Sequence, residues 1–389
     1  MSPLREAARA RPTRETDPAR PALERLRLRD FRNYAGLELE LAPGPIVLFG
    51  PNGAGKTNLL EAISLLAPGR GLRRARLESL DRDGAAAPFR LEAGLRTPDG
   101  PVDVASGREP ESDRRWLEIA GQPVRGLAAL ADLVAITWLT PAMDRLFVDA
   151  AAERRRFLDR LVLGVYPDHA RRLAIFERAM RERSLVLRQG PRDATWLDIL
   201  EQRMAESGVA IAAGRRELAA GLGTLLAEPD PALPRLRLEL DGSVETWLDD
   251  MAALDAEQRL ADALAAARAQ DTEAGGAAIG PHRSDLVAID LATNEAAPRV
   301  STGRQKAMLL AIVLAEVRLR ELVAGDLPIL LLDETAAHLD PTRRAGLAER
   351  LLALGAQVLL TGTERHLFSG LDGHATFIHV DRGLIRADE

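Results

Sequence analysis

From Leu23 onward apolar residues alternate with charged ones, first at Leu26, Leu28 and Phe31 and then at Leu37, Leu39 and Leu41. That period of two predicts a half-buried β-hairpin. The apolar run Ile46-Val47-Leu48-Phe49 suits a buried strand and residues 58–66 carry the apolar spacing of a helix, so the segment between them joins strand to helix. Residues 89–119 alternate through proline- and glycine-rich turns and predict further antiparallel strands. Past Pro141 the period changes: residues 150–188, 195–227 and 244–269 have helical spacing, with breaks at Gly190-Pro191 and around Pro229 to Pro234. These breaks predict a compact helical insert. From Ile279 the strand pattern resumes, followed by a helix over 307–319, a continuous apolar run over 327–332 and a further buried-strand candidate at 357–361. An apolar run of that kind is expected of a parallel strand covered on both faces. The pattern divides the chain into an extension (1–22), an N-terminal α/β part (23–140), a helical lobe (141–274) and a C-terminal α/β part (275–389).

Composition narrows the class. A chain of 389 residues accommodates two or three domains with a sizeable core. Its net charge of −6 argues against a protein that coats nucleic acid generally. Cysteine is absent, which excludes disulfides and thiolate metal sites and makes a cytoplasmic setting the expectation. No apolar run reaches the ~18 residues of a membrane span. Residues 1–22 hold Pro3, Pro12, Pro18 and Pro21 among arginines and alanines and lack an apolar core, so a disordered extension is expected there rather than a signal peptide. Charge is segregated, because residues 151–192 hold 11 arginines against five acids on a chain that is acidic as a whole. Such a basic helix is a candidate DNA- or partner-facing surface, with a solvated helical face as the alternative. The glycine-broken turn over 69–76, with Arg73 and Arg74, is a second basic candidate, phosphate binding and a plain solvated loop being equally open.

The loop between the first buried strand and its helix reads Gly50-Pro51-Asn52-Gly53-Ala54-Gly55-Lys56-Thr57. A glycine, four residues and then Gly-Lys-Thr make a phosphate cradle: glycines let backbone N–H groups point at phosphates, the lysine reaches the β- and γ-phosphates, and the threonine hydroxyl ligates Mg²⁺. Lys56 and Lys306 are the only lysines among 52 basic residues. A compact ammonium fits among phosphate oxygens where a planar guanidinium does not. The apolar run over 327–332 ends in Asp333-Glu334, the Walker B pattern, in which Asp333 belongs to the Mg²⁺ shell and Glu334 orients and deprotonates the attacking water. Ser301-Thr302-Gly303-Arg304-Gln305-Lys306 opens the helix before it, where serine is either an anion site or a plain N-cap. Phosphate loop, Ser-x-Gly-x-Gln helix start, Asp-Glu strand end and His338-Leu339-Asp340 form, in this order, the motif set of ABC-type ATPases. In these a serine-led helix of one subunit completes the nucleotide site of another. Residues 361–363 stand where such proteins place a switch residue.

Lys56 and Asp333 are 277 residues apart, a spacing typical of heads split by an insert. Within that class, Leu28-Arg29-Asp30-Phe31-Arg32-Asn33-Tyr34, Asn58-Leu59-Leu60-Glu61-Ala62-Ile63, Gly69-Arg70-Gly71, Glu153-Arg154-Arg155-Arg156-Phe157-Leu158-Asp159 and Gly280-Pro281-His282-Arg283-Ser284-Asp285-Leu286 resemble the RecF family over about residues 23–389. The resemblance implies an α/β ABC-type, SMC-like P-loop ATPase head split by an inserted helical lobe. It implies ATP at Gly50 to Thr57 with Arg32 nearby, Mg²⁺ at Thr57 and Asp333, catalysis by Glu334 and Lys56, and trans contacts from Ser301, Gly303, Gln305 and Asp340. It further implies an ATP-dependent homodimer on DNA, at single-stranded gaps or duplex, with RecO and RecR-type mediator partners, no membrane role and slow hydrolysis. DNA contacts fall to Arg73, Arg74, Arg154, Arg155 and Arg156. Many members carry aspartate where Glu334 stands, the signature here has Thr302 and Arg304, and the segment over 137–141 lacks the glutamine of a glutamine loop. An ATP-controlled clamp or scaffold without a direct DNA role is the alternative reading; a nuclease-coupled ABC ATPase is disfavoured for want of an acidic metal-binding domain.

Overall fold

The computed structural model describes residues 20–189 and 194–387. The first 19 residues of the expected extension and the Gly190-Pro191 break lie outside them. The first strand, β1 (Ala22–Phe31), starts one residue inside that expected extension. It pairs antiparallel with β2 (Tyr34–Glu40), with Leu26 opposite Leu39 and Leu28 opposite Leu37. Leu26, Leu28 and Phe31 are fully buried, as the alternation requires.

The strand β3 (Pro45–Phe49) leads through the phosphate loop into helix α1 (Lys56–Ser64). Strands β4 (Arg90–Thr97), β5 (Gly100–Arg108), β6 (Arg115–Ile119) and β7 (Gln122–Pro123) extend the first hairpin into an antiparallel sheet of order β2-β1-β4-β5-β6-β7. A short strand, β8 (Ile136–Leu139), follows.

Helices α2 (Ala151–Val165) and α3 (His169–Gln189) divide the expected helix over 150–188 at Tyr166-Pro167-Asp168. Proline forces the residue before it out of the helical region, and Tyr166 is extended (φ −124°, ψ 91°). The 33-residue α4 (Ala194–Leu226) follows. The chain continues through β9 (Leu236–Asp241), α5 (Ser243–Asp250), α6 (Ala253–Ala266), α7 (Arg268–Ala274), β10 (Asp285–Asp290) and β11 (Glu295–Ala296). These strands form a small antiparallel sheet of order β11-β10-β9. Strand β9 escaped the sequence pattern, since it lies just after Pro234, where turn residues dominate.

Helix α8 (Thr302–Ala324) is apolar on nearly every face over 307–317 and buried there. It precedes β12 (Ile329–Leu332), α9 (Pro341–Leu354), β13 (Val358–Gly362), β14 (Thr376–Asp381) and β15 (Leu384–Ala387). The second large sheet has the order β15-β14-β3-β13-β12-β8, parallel throughout except for β15. The phosphate-loop strand β3 and the Walker B strand β12 are therefore one strand apart, with β13 between them.

Two compact units result. One comprises 20–144, Asp230–Leu233 and 309–387; the other comprises Arg145–Pro229 and Pro234–Met308. In the first, Leu59, Leu60 and Ile63 of α1 pack with Leu26 and Leu28 of β1 and Ile46, Leu48, Leu331 and Leu359 of the parallel sheet. In the second, Phe176, Leu200, Met204, Leu260 and Leu264 form the core. Besides its helices this unit holds the β9–β11 sheet and the first turns of α8.

Candidate nucleotide site

The carboxyl ends of parallel strands are where α/β sheets bind ligands, and the motifs meet there. Gly50 sits at φ 148°, and a Cβ at that position would lie 2.1 Å from the Val380 carbonyl oxygen. Gly55 sits at φ 112°, where a Cβ would meet Asn33 Nδ2 at 2.5 Å and the Tyr34 hydroxyl at 2.6 Å. Glycine is therefore required at both ends of the loop for conformation and for space. The turn between β1 and β2 braces the loop: Asn33 Nδ2 donates to Ala54 O (3.3 Å) and Tyr34 OH to Gly55 O (3.1 Å). From the β14–β15 turn, Gly383 N donates to Ala54 O (3.0 Å).

Lys56 Nζ donates across the loop to Gly50 O (2.7 Å) and Pro51 O (2.9 Å). Burial lowers its pKa, against which the charges of Glu334 and Asp333 act. Thr57 Oγ1 donates to Asp333 Oδ1 (3.0 Å), so residues 276 positions apart are joined at the site. Asp333 N is tied to Leu139 O (2.9 Å) at the end of β8, the segment that lacks a glutamine. Glu334 follows at φ 52°, a left-handed conformation that is sparsely populated for non-glycine residues. One carboxylate and one hydroxyl are the protein ligands Mg²⁺ takes when substrate phosphates supply the rest. Among the described residues no group of three or more His, Asp or Glu side chains gathers as an all-protein metal cage. The donor set thus fits Mg²⁺ with a nucleotide.

Arg32 is engaged by protein partners. Its Nε and Nη2 donate to Glu61 (both 2.9 Å) and its Nη1 to Ser79 O (2.7 Å). The same buried Glu61 accepts from Arg73 Nη1 (3.0 Å), which also donates to Asn58 Oδ1 (2.7 Å). Arg74 is exposed, at φ 53°.

At the signature, Ser301, Thr302 and Gly303 are exposed and Ser301 Oγ caps Arg304 N (3.3 Å). Gln305 departs from the expected outward contact: it is buried, with Nε2 donating to Val300 O (3.0 Å), and so shapes the turn from within. Arg304 is bound to the buried Asp290 at 2.5 and 3.0 Å. Asp340 caps α9, accepting from Arg343 N (2.9 Å).

The three arginines over 154–156 have different surroundings: Arg154 and Arg155 are partly buried and Arg156 is exposed. Arg154 is bidentate to Asp285 (2.7 Å for both bonds) and donates to the carbonyls of Leu146 and Phe147. Arg155 Nη1 donates to Ser284 O (2.7 Å). Arg156 pairs with Glu153 on an exposed face. A partly buried guanidinium needs internal acceptors, and the Gly280-Pro281-His282-Arg283-Ser284-Asp285 segment provides two of them, the Asp285 carboxylate and Ser284 O. Asp159 completes this clasp through Arg215, which reaches Asp159 at 2.8 Å, Pro281 O at 2.6 Å and Ser284 Oγ at 2.9 Å. Burial pushes the Asp159 pKa up, but bonds from His169 and Arg215 outweigh it and hold the carboxyl low.

A phosphate loop, a Walker B strand separated from it by a single strand and an outward-facing serine-led helix start, in a head split by a long insert, define an ABC-type, SMC-like ATPase head. The chain matches the RecF/RecN/SMC N terminal domain over residues 22–385. It is 47% identical to the DNA replication and repair protein RecF of Mesorhizobium japonicum, over 96% of this chain and 99% of that one, and 46% identical to the protein of the same name from Allorhizobium ampelinum, over 93% and 97%. The chain belongs to the RecF family. Its fold is similar to a structure described as the recombination mediator protein RecF-ATPrS in the RecFOR pathway, with TM-score 0.83 at 21% identity over 96% and 100% of the two chains. It is also similar to the Smc head domain of Pyrococcus furiosus bound to the C-terminal domain of ScpA, with TM-score 0.54 at 16% identity over 95% and 96%.

Proposed function

We propose that this chain is a cytoplasmic, DNA-binding ATPase of recombinational repair. ATP-bound copies pair on DNA at gaps, and slow hydrolysis, dependent on DNA and on the dimer, releases them. RecO- and RecR-type proteins are its partners in loading recombinase. Gly50 to Thr57 cradle the triphosphate, with Thr57 and Asp333 holding Mg²⁺. When bound, Mg²⁺ neutralises charge developing on the phosphates. Lys56 does the same from the protein side, and Glu334 orients the attacking water and accepts its proton.

The observation that carries the dimer reading is the outward exposure of Ser301, Thr302 and Gly303 at the start of a 23-residue helix. The first N–H groups of a helix lack intrahelical partners and suit an anion. A Cβ added at Gly303 would meet no atom within 4 Å, so a second chain's phosphate has room to approach. Ser301→Arg is expected to keep monomer ATP affinity and to abolish ATP-dependent dimers in sedimentation velocity. Dimers that persist in the variant contradict the trans role.

A further inference from the structure

We infer that Thr361 is a positioning residue for ATP hydrolysis, acting through both Walker B acids. This rests on the nucleotide-site reading given above. A hydroxyl has one proton to donate and lone pairs to accept with. Thr361 Oγ1 donates to Asp333 Oδ1 at 2.7 Å and accepts from Glu334 N at 2.9 Å. Thr57 Oγ1 converges on the same Asp333 oxygen at 3.0 Å. Two hydroxyls on Oδ1 fix the rotation of the carboxylate, and with it the direction in which Oδ2 faces.

The second bond acts on the backbone. Glu334 is held at φ 52°, a conformation that persists only where surrounding contacts over-determine it. The bond from Glu334 N to Thr361 is such a contact, and it aims the residue that must meet the attacking water. Thr361 is fully buried at the end of β13, opposite Leu48 of the phosphate-loop strand. The next residue, Gly362, accepts from Gly50 N (3.2 Å), and a Cβ there would lie 2.5 Å from the Phe368 ring. A single dipeptide on the intervening strand thus ties together the first residue of the phosphate loop, the metal-holding acid and the water-orienting acid.

The test replaces the hydroxyl with a methyl of equal size. Thr361→Val is expected to lower kcat and Mg²⁺ affinity by about 10–100-fold, as loss of groups that orient metal ligands does. The affinity for ATP in EDTA, read with a fluorescent ATP analogue, stays close to wild type, whereas KM for MgATP rises with the weakened Mg²⁺ affinity. Thr361→Ser restores kcat and the Mg²⁺ midpoint, which a purely space-filling role does not allow. Thr361→Ala serves the same comparison should the valine variant fail to fold, judged by circular dichroism and metal-free ATP binding. A valine or alanine variant with wild-type Mg²⁺ dependence and kcat overturns the role of Thr361, as does a serine variant as impaired as valine. Wild-type protein without Mg²⁺-dependent ATP binding instead overturns the nucleotide-site reading on which it rests.

Discussion

Arg183 on α3 is fully buried and neutralises two buried carboxylates, with Nε 2.8 Å from Glu201 Oε1 and Nη1 2.7 Å from Asp271 Oδ2, while Nη2 caps Leu264 O at 2.6 Å. Arg183→Met removes the cation but keeps the apolar stem. Breaking a buried pair from one side costs about 3–5 kcal/mol, because a charge is left without compensation. Glu201 retains Arg268 at 3.0 Å and, among the described residues, Asp271 keeps the bond from Ala278 N at 2.9 Å, so the lower end is expected. About 3 kcal/mol in a unit of this size corresponds to a Tm lower by roughly 6–12 °C. Trp196 and Trp247 both lie in this unit, so their fluorescence during thermal unfolding reports on it. Adding Asp271→Asn to Arg183→Met removes the orphaned charge and is expected to recover about half of the loss. A Tm within about 2 °C of wild type for the single variant, or no recovery in the double variant, would show that Arg183 does not compensate these buried carboxylates. ATP affinity is expected to be unchanged, since the phosphate loop belongs to the other unit.

Burial pushes the His282 pKa below its ordinary value, opposed by its bond to Ala277 O, so the folded state favours the neutral ring. The stability this gives is present above the unfolded pKa of about 6.5 and is lost as pH falls through the lower folded value. His282→Gln is therefore expected to flatten the decline of Tm between about pH 7.5 and 5.5, and equal pH slopes in the two proteins contradict this. Arg154→Gln is expected to cost about 1–3 kcal/mol through its lost charged hydrogen bonds while leaving the salt dependence of DNA binding unchanged. Arg156→Gln, on the exposed face, is expected to change stability by less than about 0.5 kcal/mol and to lower the log–log salt slope by about one. Reversed outcomes in denaturant and salt titrations would show that the buried and exposed roles have been exchanged.

The phosphate loop, the Walker B acids and the signature serine were legible because each is a contiguous run whose spacing carries its chemistry. The hairpin and the buried parallel strands followed from their periods. Bonds formed by distant residues were not legible in the same way. Glu61 joins Arg32 to Arg73 only once the β1–β2 turn and the 69–76 loop are folded against α1, and Thr361 acquires its role only beside β12. Counting arginines overstated the basic surface for a related reason. Arg183 falls in phase with the buried Phe176, Ala179 and Leu187 on α3, which marks it as an internal charge. Arg154 and Arg155 gave no such signal, since their acceptors come from residues about 130 positions later. Gln305 likewise sits in a motif read as outward-facing, and only the turn at Val300 draws it inward.

Nucleotide occupancy of the phosphate loop is proposed to control DNA binding through an intermolecular site. Titration of gapped and duplex DNA into the protein with ATP, with ADP and without nucleotide, across a range of salt, tests it most directly. Tight, salt-sensitive binding with ATP and weak binding in the other two states is the predicted result; binding that is indifferent to nucleotide, or absent with ATP at every salt concentration, contradicts it.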